Sequence, residues 1–262
     1  MVLKMKIYNK MLFLILLTTI VIFGISIGIV SVKIKENTLN TSKQLLLSKA
    51  QATSQKAKLF IQEYTSSART LSELFSTYES LPENTRHDVY KNVISKTLIS
   101  NPPFIAIRAT LEPQTILKTD NYFSLAYYRT NASIEFENTN LNGSIEYSTI
   151  QHNLYETILP PHEYNYQGTA VLQNSYIVPS LHQSKFAGLV GIHGYSGDFQ
   201  SYLRSFIVNK KETVFLVDNL SNIIVHTDDL YLNKKIQDFG FDTTFMSEFH
   251  SCSQKSGGIV FE

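Results

Sequence analysis

The chain opens on an apolar block and then changes rhythm twice. From Met11 to Val32, twenty-two consecutive positions carry no charge. At about 1.5 Å per residue, a helix of that length spans a hydrocarbon core of roughly 30 Å. A soluble core helix needs a polar face, and this run has none. A cleaved signal peptide, the main rival, has an apolar region of about 7–15 residues followed by a small-residue cleavage site; no A-x-A pattern follows here. The run is therefore expected to be a retained transmembrane helix. Lys4, Lys6 and Lys10 precede it without an acid, whereas Glu36 accompanies Lys33 and Lys35 beyond it. That bias favours a cytoplasmic N-terminus and places the rest of the chain outside.

From Ile34 to Tyr78 there is neither proline nor glycine. Leu39, Leu46, Ala50, Ala57, Phe60, Tyr64, Ala68, Leu71, Phe75 and Tyr78 recur at steps of three, four or seven, which marks one face of a long helix continuous with the span. Its first half is more weakly patterned, so the helix is read as a stalk that becomes a packing helix. Pairing of two copies along the stalk is the sharper alternative to packing on its own domain. Pro82 ends it. Arg86 to Ile99 reads as a second helix, stopped by Asn101-Pro102-Pro103, and Phe104 to Leu111 ("FIAIRATL") as a strand. Asn121 to Ser148, rich in Asn, Ser and Thr, reads as loop with short strands at best. "TAVLQNSYIVPSL" and "KFAGLVGIHGY" are adjacent strands joined by a hairpin at His182 to Lys185. Asp198 to Phe206 is a short helix, and Glu212 to Thr227 a further hairpin turning at Asn219 to Asn222. Helices followed by hairpins describe an α+β fold, an antiparallel sheet with helices, rather than a doubly wound one.

Composition narrows the function. Twenty-three basic and 22 acidic residues leave a net charge of +1, and no basic stripe tracks a phosphate backbone, so nucleic acid is excluded as a partner. The single cysteine, Cys252, rules out an intramolecular disulfide framework. "GYSG" at Gly194 to Gly197 lacks nucleophile-elbow spacing, there is no phosphate loop or H-E-x-x-H, and the seven histidines are scattered. No catalytic residue, metal site or cofactor is expected in these residues.

"NPPFIAIRATLEPQT" (Asn101 to Thr115), "TDNYF" (Thr119 to Phe123), "YYRT" (Tyr127 to Thr130), "EYNYQGTAVLQNSYIVPSLHQSKFAGLVGIHGYSGDF" (Glu163 to Phe199) and "VFLVDNLSNIIVHT" (Val214 to Thr227) follow one another behind a membrane span and a long helix. In that order they resemble the extracytoplasmic double-Cache, PAS-like sensor domains of bacterial chemoreceptors, sensor histidine kinases and related phosphatases or cyclases. The resemblance implies a cytoplasmic N-terminus over 1–10, the span over 11–32, the stalk helix over 33–81, a membrane-distal ligand-binding module over 82–209 and a partial membrane-proximal module over 210–262. It implies a single-pass protein of the inner or plasma membrane, homodimeric through the long helix, whose outer part binds a small molecule. Because "SGGIVFE" ends the second module early, the chain is read as the N-terminal portion of a longer receptor. An anchored scaffold without an output domain and an extracytoplasmic enzyme stand as alternatives.

The same resemblance supplies site candidates. Amino-acid-binding relatives carry an aspartate at the end of the second hairpin strand, where this chain has His193, and a tryptophan, which this chain lacks. Arg129 is the candidate carboxylate ligand, with Tyr128 beside it a second candidate. Tyr164 and Tyr166 match the tyrosine-bearing pocket segment, and Asp120, with Glu112, shapes the rim. With a partly charged His193, a dicarboxylate or other small anion suits this set better than an amino acid. The plainer reading makes Arg129 a surface residue, His193 a hydrogen-bonded structural histidine and the tyrosines packing residues.

Overall fold

The computed structural model describes residues 7–77, 80–112, 123–130, 132–137, 144–166, 168–207, 213–218, 221–240 and 247. The chain divides into two compact units, one holding the residues up to Ala52 and the other beginning at Thr53.

Helix α1, Ile7–Ser76, is 70 residues long. Among the described residues it is the one helix long and apolar enough to cross a membrane. Its large apolar side chains from Met11 to Val32 are all half or more exposed. No proline interrupts it, and in its later part the repeat read from sequence holds: Tyr64, Ala68, Leu71 and Phe75, on steps of four, three and four, are all buried, while Tyr78 lies outside the described residues. Leu39, at the start of that predicted stripe, is 51% exposed.

In the second unit, α1 is followed by α2 (Glu83–Ser100), β1 (Ala106–Leu111), β2 (Phe123–Arg129), β3 (Ile134–Glu137), α3 (Ile145–Asn153), β4 (Thr157–Tyr166), β5 (Thr169–His182), β6 (Lys185–Tyr195), α4 (Ser196–Arg204), β7 (Phe215–Val217) and β8 (Ile223–His226). Strands β3-β2-β1-β6-β5-β4 form one antiparallel sheet in that order, and β7-β8 a separate pair. The fold is α+β, as the element order predicts.

Strand alternation gives the six-stranded sheet two faces. On the back, Ile107, Ala109, Leu111, Tyr176, Val178, Val190 and Ile192 pack on Tyr64, Leu71 and Phe75 of α1 and on Tyr90, Ile94 and Leu98 of α2. Tyr64 stacks on Tyr176 with ring centroids 4.3 Å apart, and Phe75 on Tyr90 at 4.5 Å. On the front, Tyr147 and Ile150 of α3 cover Leu159, Ile177 and Leu189. The β7-β8 pair packs through Ile224 and Val225 on Phe199 and Leu203 of α4 and on Ala57 of α1.

The expectation for Asn121 to Ser148 is corrected. This stretch supplies two full sheet strands, β2 and β3, and the start of α3. Its polar residues still fit: Ser144 caps α3 by accepting from the Tyr147 amide at 3.1 Å, and Ser124 meets Thr110 across β1-β2 at 2.8 Å. The edge strand β4 went unpredicted because Pro160-Pro161 interrupts its pattern. The prolines sit at a register shift between Leu159 and His162, on an edge, where a missing amide costs no ladder bond. Residues 219–220 of the predicted final turn, and the segment "SGGIVFE", lie outside the described residues.

Candidate functional site

The front of the sheet carries a buried polar cluster. Four strands aim side chains at one spot because every second residue shares a face. Strand β1 contributes Arg108, β4 His162, Tyr164 and Tyr166, β5 Gln173 and Ser175, and β6 His193. Register brings them together: Ser175 stands opposite His193, Gln173 opposite His162, and Arg108 opposite Gly191. The lack of a side chain at Gly191 leaves room here, since a Cβ would lie 3.1 Å from His193 Nε2. From α3, Glu146 points into the same spot.

Arg108 is 1% exposed and Glu146 4%. The guanidinium donates from Nη1 to Glu146 Oε1 at 3.0 Å and from Nη2 to the Tyr166 hydroxyl at 2.9 Å. Its Cζ sits 3.4 Å from the centre of the Tyr164 ring, a desolvated cation–π contact. Glu146 Oε1 also accepts from Ser175 Oγ at 3.2 Å, and lies 3.7 Å from His162 Nε2 and 3.8 Å from His193 Nδ1. Tyr166 donates onward to Gln173 Oε1. His193 Nδ1 lies 2.8 Å from Ser175 Oγ and 3.2 Å from Gln173 Nε2. Two buried nitrogens, Arg108 Nε and His193 Nε2, have no hydrogen-bond partner.

Electrostatics follow from that packing. Burial alone would raise the Glu146 carboxyl, but the His162 contact and the positive surroundings, Arg108 among them, outweigh it and hold the group at about 2. Burial, reinforced by the Arg108 charge, keeps His193 well below its ordinary range. Burial likewise raises the Tyr166 hydroxyl. At neutral pH Arg108 and Glu146 form an ion pair, with the neutral His193 imidazole and the Ser175, Gln173 and Tyr166 side chains as polar neighbours. The expected partial charge on His193 is therefore corrected: wholly buried beside a permanent cation, the imidazole stays neutral.

The cluster gathers three of the residues singled out in the sequence: His193, Tyr164 and Tyr166. Of the His193 ring nitrogens, Nδ1 is the one engaged within the cluster. Arg129 sits elsewhere. At the end of β2 its guanidinium donates to the carbonyl oxygens of Phe104 at 3.2 Å, Asn101 at 3.4 Å and Leu98, tying α2 to the sheet. Together with Tyr128 and Tyr166 it lines a cleft of about 150 Å³ at that end of the sheet. The Tyr128 hydroxyl is buried there without a hydrogen-bond partner. Asp120 lies outside the described residues, and Glu112 is half-buried, its carboxyl raised by burial.

Arg108 and Glu146 escaped the sequence reading. The available signal for Arg108 was a lone charge inside the apolar strand "FIAIRATL"; Glu146 had none beyond its place just after a capping serine. A second cleft, of about 250 Å³, runs along Leu159, Pro160, Pro161, Ile145, Asn222 and Asn233 and reaches His162, a partly exposed member of the cluster. Among the described residues no group of three or more His, Cys, Asp or Glu is arranged to hold a metal ion.

No protein-family model and no curated protein sequence matches the chain. Solved structures do. The extracellular domain of the putative histidine kinase mmHK1S-Z3 is 20% identical with a TM-score of 0.62, over 83% of this chain and 82% of that one. The periplasmic sensory domain of the Campylobacter jejuni chemoreceptor Tlp1 is 13% identical with a TM-score of 0.62, over 84% of each. The ligand-binding domain of the Pseudomonas aeruginosa PAO1 amino acid chemoreceptor PctC, in complex with GABA, is 12% identical with a TM-score of 0.54, over 76% and 82%. The chain has the fold of the extracellular sensory domains of histidine kinases and chemoreceptors; these neighbours are sensory rather than catalytic domains.

Proposed function

We propose that this chain is the sensing part of a single-pass receptor of the inner or plasma membrane. Met11 to Val32 crosses the bilayer, the N-terminus is cytoplasmic, and the unit from Thr53 onward binds a small molecule outside. The observation that carries the reading is the joining, in one chain, of a sensory-domain fold to a helix whose apolar stretch is left uncovered. Solvent-exposed leucines, isoleucines and valines over that length are tolerable only in lipid. The mode of action is a shift between two arrangements of the outer unit, which requires the ligand to favour one of them and needs no catalytic group.

Pairing of two copies along α1 belongs to the same reading. Leu39 and Leu47, eight residues apart on one side of the helix, are both more than half exposed beyond the apolar run, and a second copy's helix covers such residues without new chemistry.

The test is a thermal-shift screen of the full chain in detergent micelles against amino acids, dicarboxylates, amines and sugars. A ligand that binds the native state raises the melting temperature, and by more as its concentration rises above its Kd. A rise with one class and none with the others supports sensing; no rise with any class counts against it.

A further inference from the structure

The cluster on the sheet front has an asymmetry that a purely structural ion pair does not require. The cation and the polar groups around it come from four strands of one sheet: Arg108, His162, Gln173, Ser175 and His193. The carboxylate alone comes from a separate helix. Arg108, Ser175, His162 and His193 all approach the same atom of that carboxylate, Glu146 Oε1. Even so, Arg108 Nε and His193 Nε2 are left buried with no partner. Buried donors are normally satisfied, and an orphan such as the Arg108 Nε–H costs about 1–3 kcal/mol, so Arg108 offers more donor capacity than a single carboxylate oxygen fills.

The acceptor is also the detachable part. Helix α3 is nine residues long, ends at Leu154 in the left-handed conformation, and is held mainly by Tyr147 and Ile150 against Leu159, Ile177 and Leu189. Ile145, next to Glu146, and His162, 3.7 Å from its carboxylate, both line the 250 Å³ cleft. An anion arriving from solvent therefore meets the cluster where the helix and β4 meet.

We propose that the strands form a seat for a small carboxylate, and that Glu146 fills this seat when none is bound. A ligand carboxylate then enters by exchanging with a side chain of α3, and the release of that helix is the conformational change that binding drives. This rests on the sensing reading and gives it a ligand class. It makes Arg108, not Arg129, the anion partner. It also accounts for the closed state of the cluster, because the internal carboxylate competes with the external one and lowers apparent affinity by the fraction of time the seat is free.

The experiment uses the full chain in micelles, with propionate as probe and propionamide as its neutral isostere. Glu146→Ala removes a side chain about the size of propionate. The expected result is that propionate binds Glu146→Ala at least about tenfold more tightly than the wild type, and raises its melting temperature while propionamide does not. Adding Arg108→Met to that variant is expected to abolish the effect. Should Glu146→Ala fold only in the presence of propionate, that rescue supports the seat. If it does not fold in either probe, Glu146→Gln decides: a neutral side chain competes less well, so tighter propionate binding than in wild type is required. Equal affinity in the wild type and the folded variant overturns the exchange, as does equal rescue by propionamide. A wild type that binds an amine or a sugar while neither variant responds to propionate overturns the exchange and leaves sensing intact. Propionate rescue in a chain that answers to no other compound class keeps the seat and narrows the sensing reading to carboxylates.

Discussion

At the residue scale the Arg108–Glu146 pair dominates, because both charges are out of water. Removing one partner from such a pair strands the other, which typically costs about 3–5 kcal/mol. Arg108→Met is expected to destabilise the fold by that order, read from urea denaturation followed by circular dichroism. Arg129→Met, which loses only bonds to carbonyl oxygens at the sheet end, is expected to cost less. The reverse ranking would show that the sheet-front pair is solvated. The histidines set the pH response. Folded His193 lies below its ordinary 6.5, so the unfolded chain takes up that proton while the folded chain still resists it. The stability it contributes is complete above 6.5 and drains away as the pH falls below it. Glu146 adds the same sign lower down, from its ordinary 4.5 toward about 2. His87 and His226, both lowered by burial, act with His193, so His193→Gln should reduce, not abolish, the fall in the urea midpoint between pH 6.5 and 4.5. An unchanged slope in the variant would remove His193 from this role.

At the element scale, two glycines, one in the turn between β4 and β5 and one within β6, separate backbone strain from crowding. Gly188 has φ +146°, and a Cβ there would sit 2.1 Å from the Thr110 carbonyl oxygen, in the neighbouring strand. Gly168, with φ +93°, has nothing within 4 Å. Gly168→Ala should cost only the strain of an unfavourable backbone conformation, about 1–3 kcal/mol, whereas Gly188→Ala must also push β1 away from β6. The expected order of melting temperatures is wild type, Gly168→Ala, Gly188→Ala; equal losses would mean that the β1–β6 approach is looser than described. Legibility in the sequence follows the same division. Helix α1, helix α2 and the β5-β6 hairpin were readable because their periodicities are local. Strands β2 and β3 were not, because their polar residues serve cross-strand bonds such as Thr110–Ser124, which need a partner elsewhere in the chain.

At the scale of the whole molecule the testable claim is topology. In a Cys252→Ser background, which removes the only native cysteine, Ser201→Cys on the exposed face of α4 should react with a membrane-impermeant maleimide in intact cells. Lys10→Cys, ahead of the apolar run, should react only after permeabilisation. Labelling of Lys10→Cys alone in intact cells would invert the orientation and sink the receptor reading. What the sequence by itself determined is the part governed by short-range repeats: an uncharged run long enough for a bilayer, a helix with a buried stripe, an antiparallel sheet, and a histidine at a strand end. Only the tertiary structure decided which arginine matters. Arg108 and Glu146 are 38 residues apart, and nothing in either neighbourhood announces the other. Their meeting depends on α3 covering the front of the sheet and on the proline break in β4 turning His162, Tyr164 and Tyr166 toward the same point. Burial then fixes the chemistry, because a charge removed from water must find its partner wherever the fold has placed one.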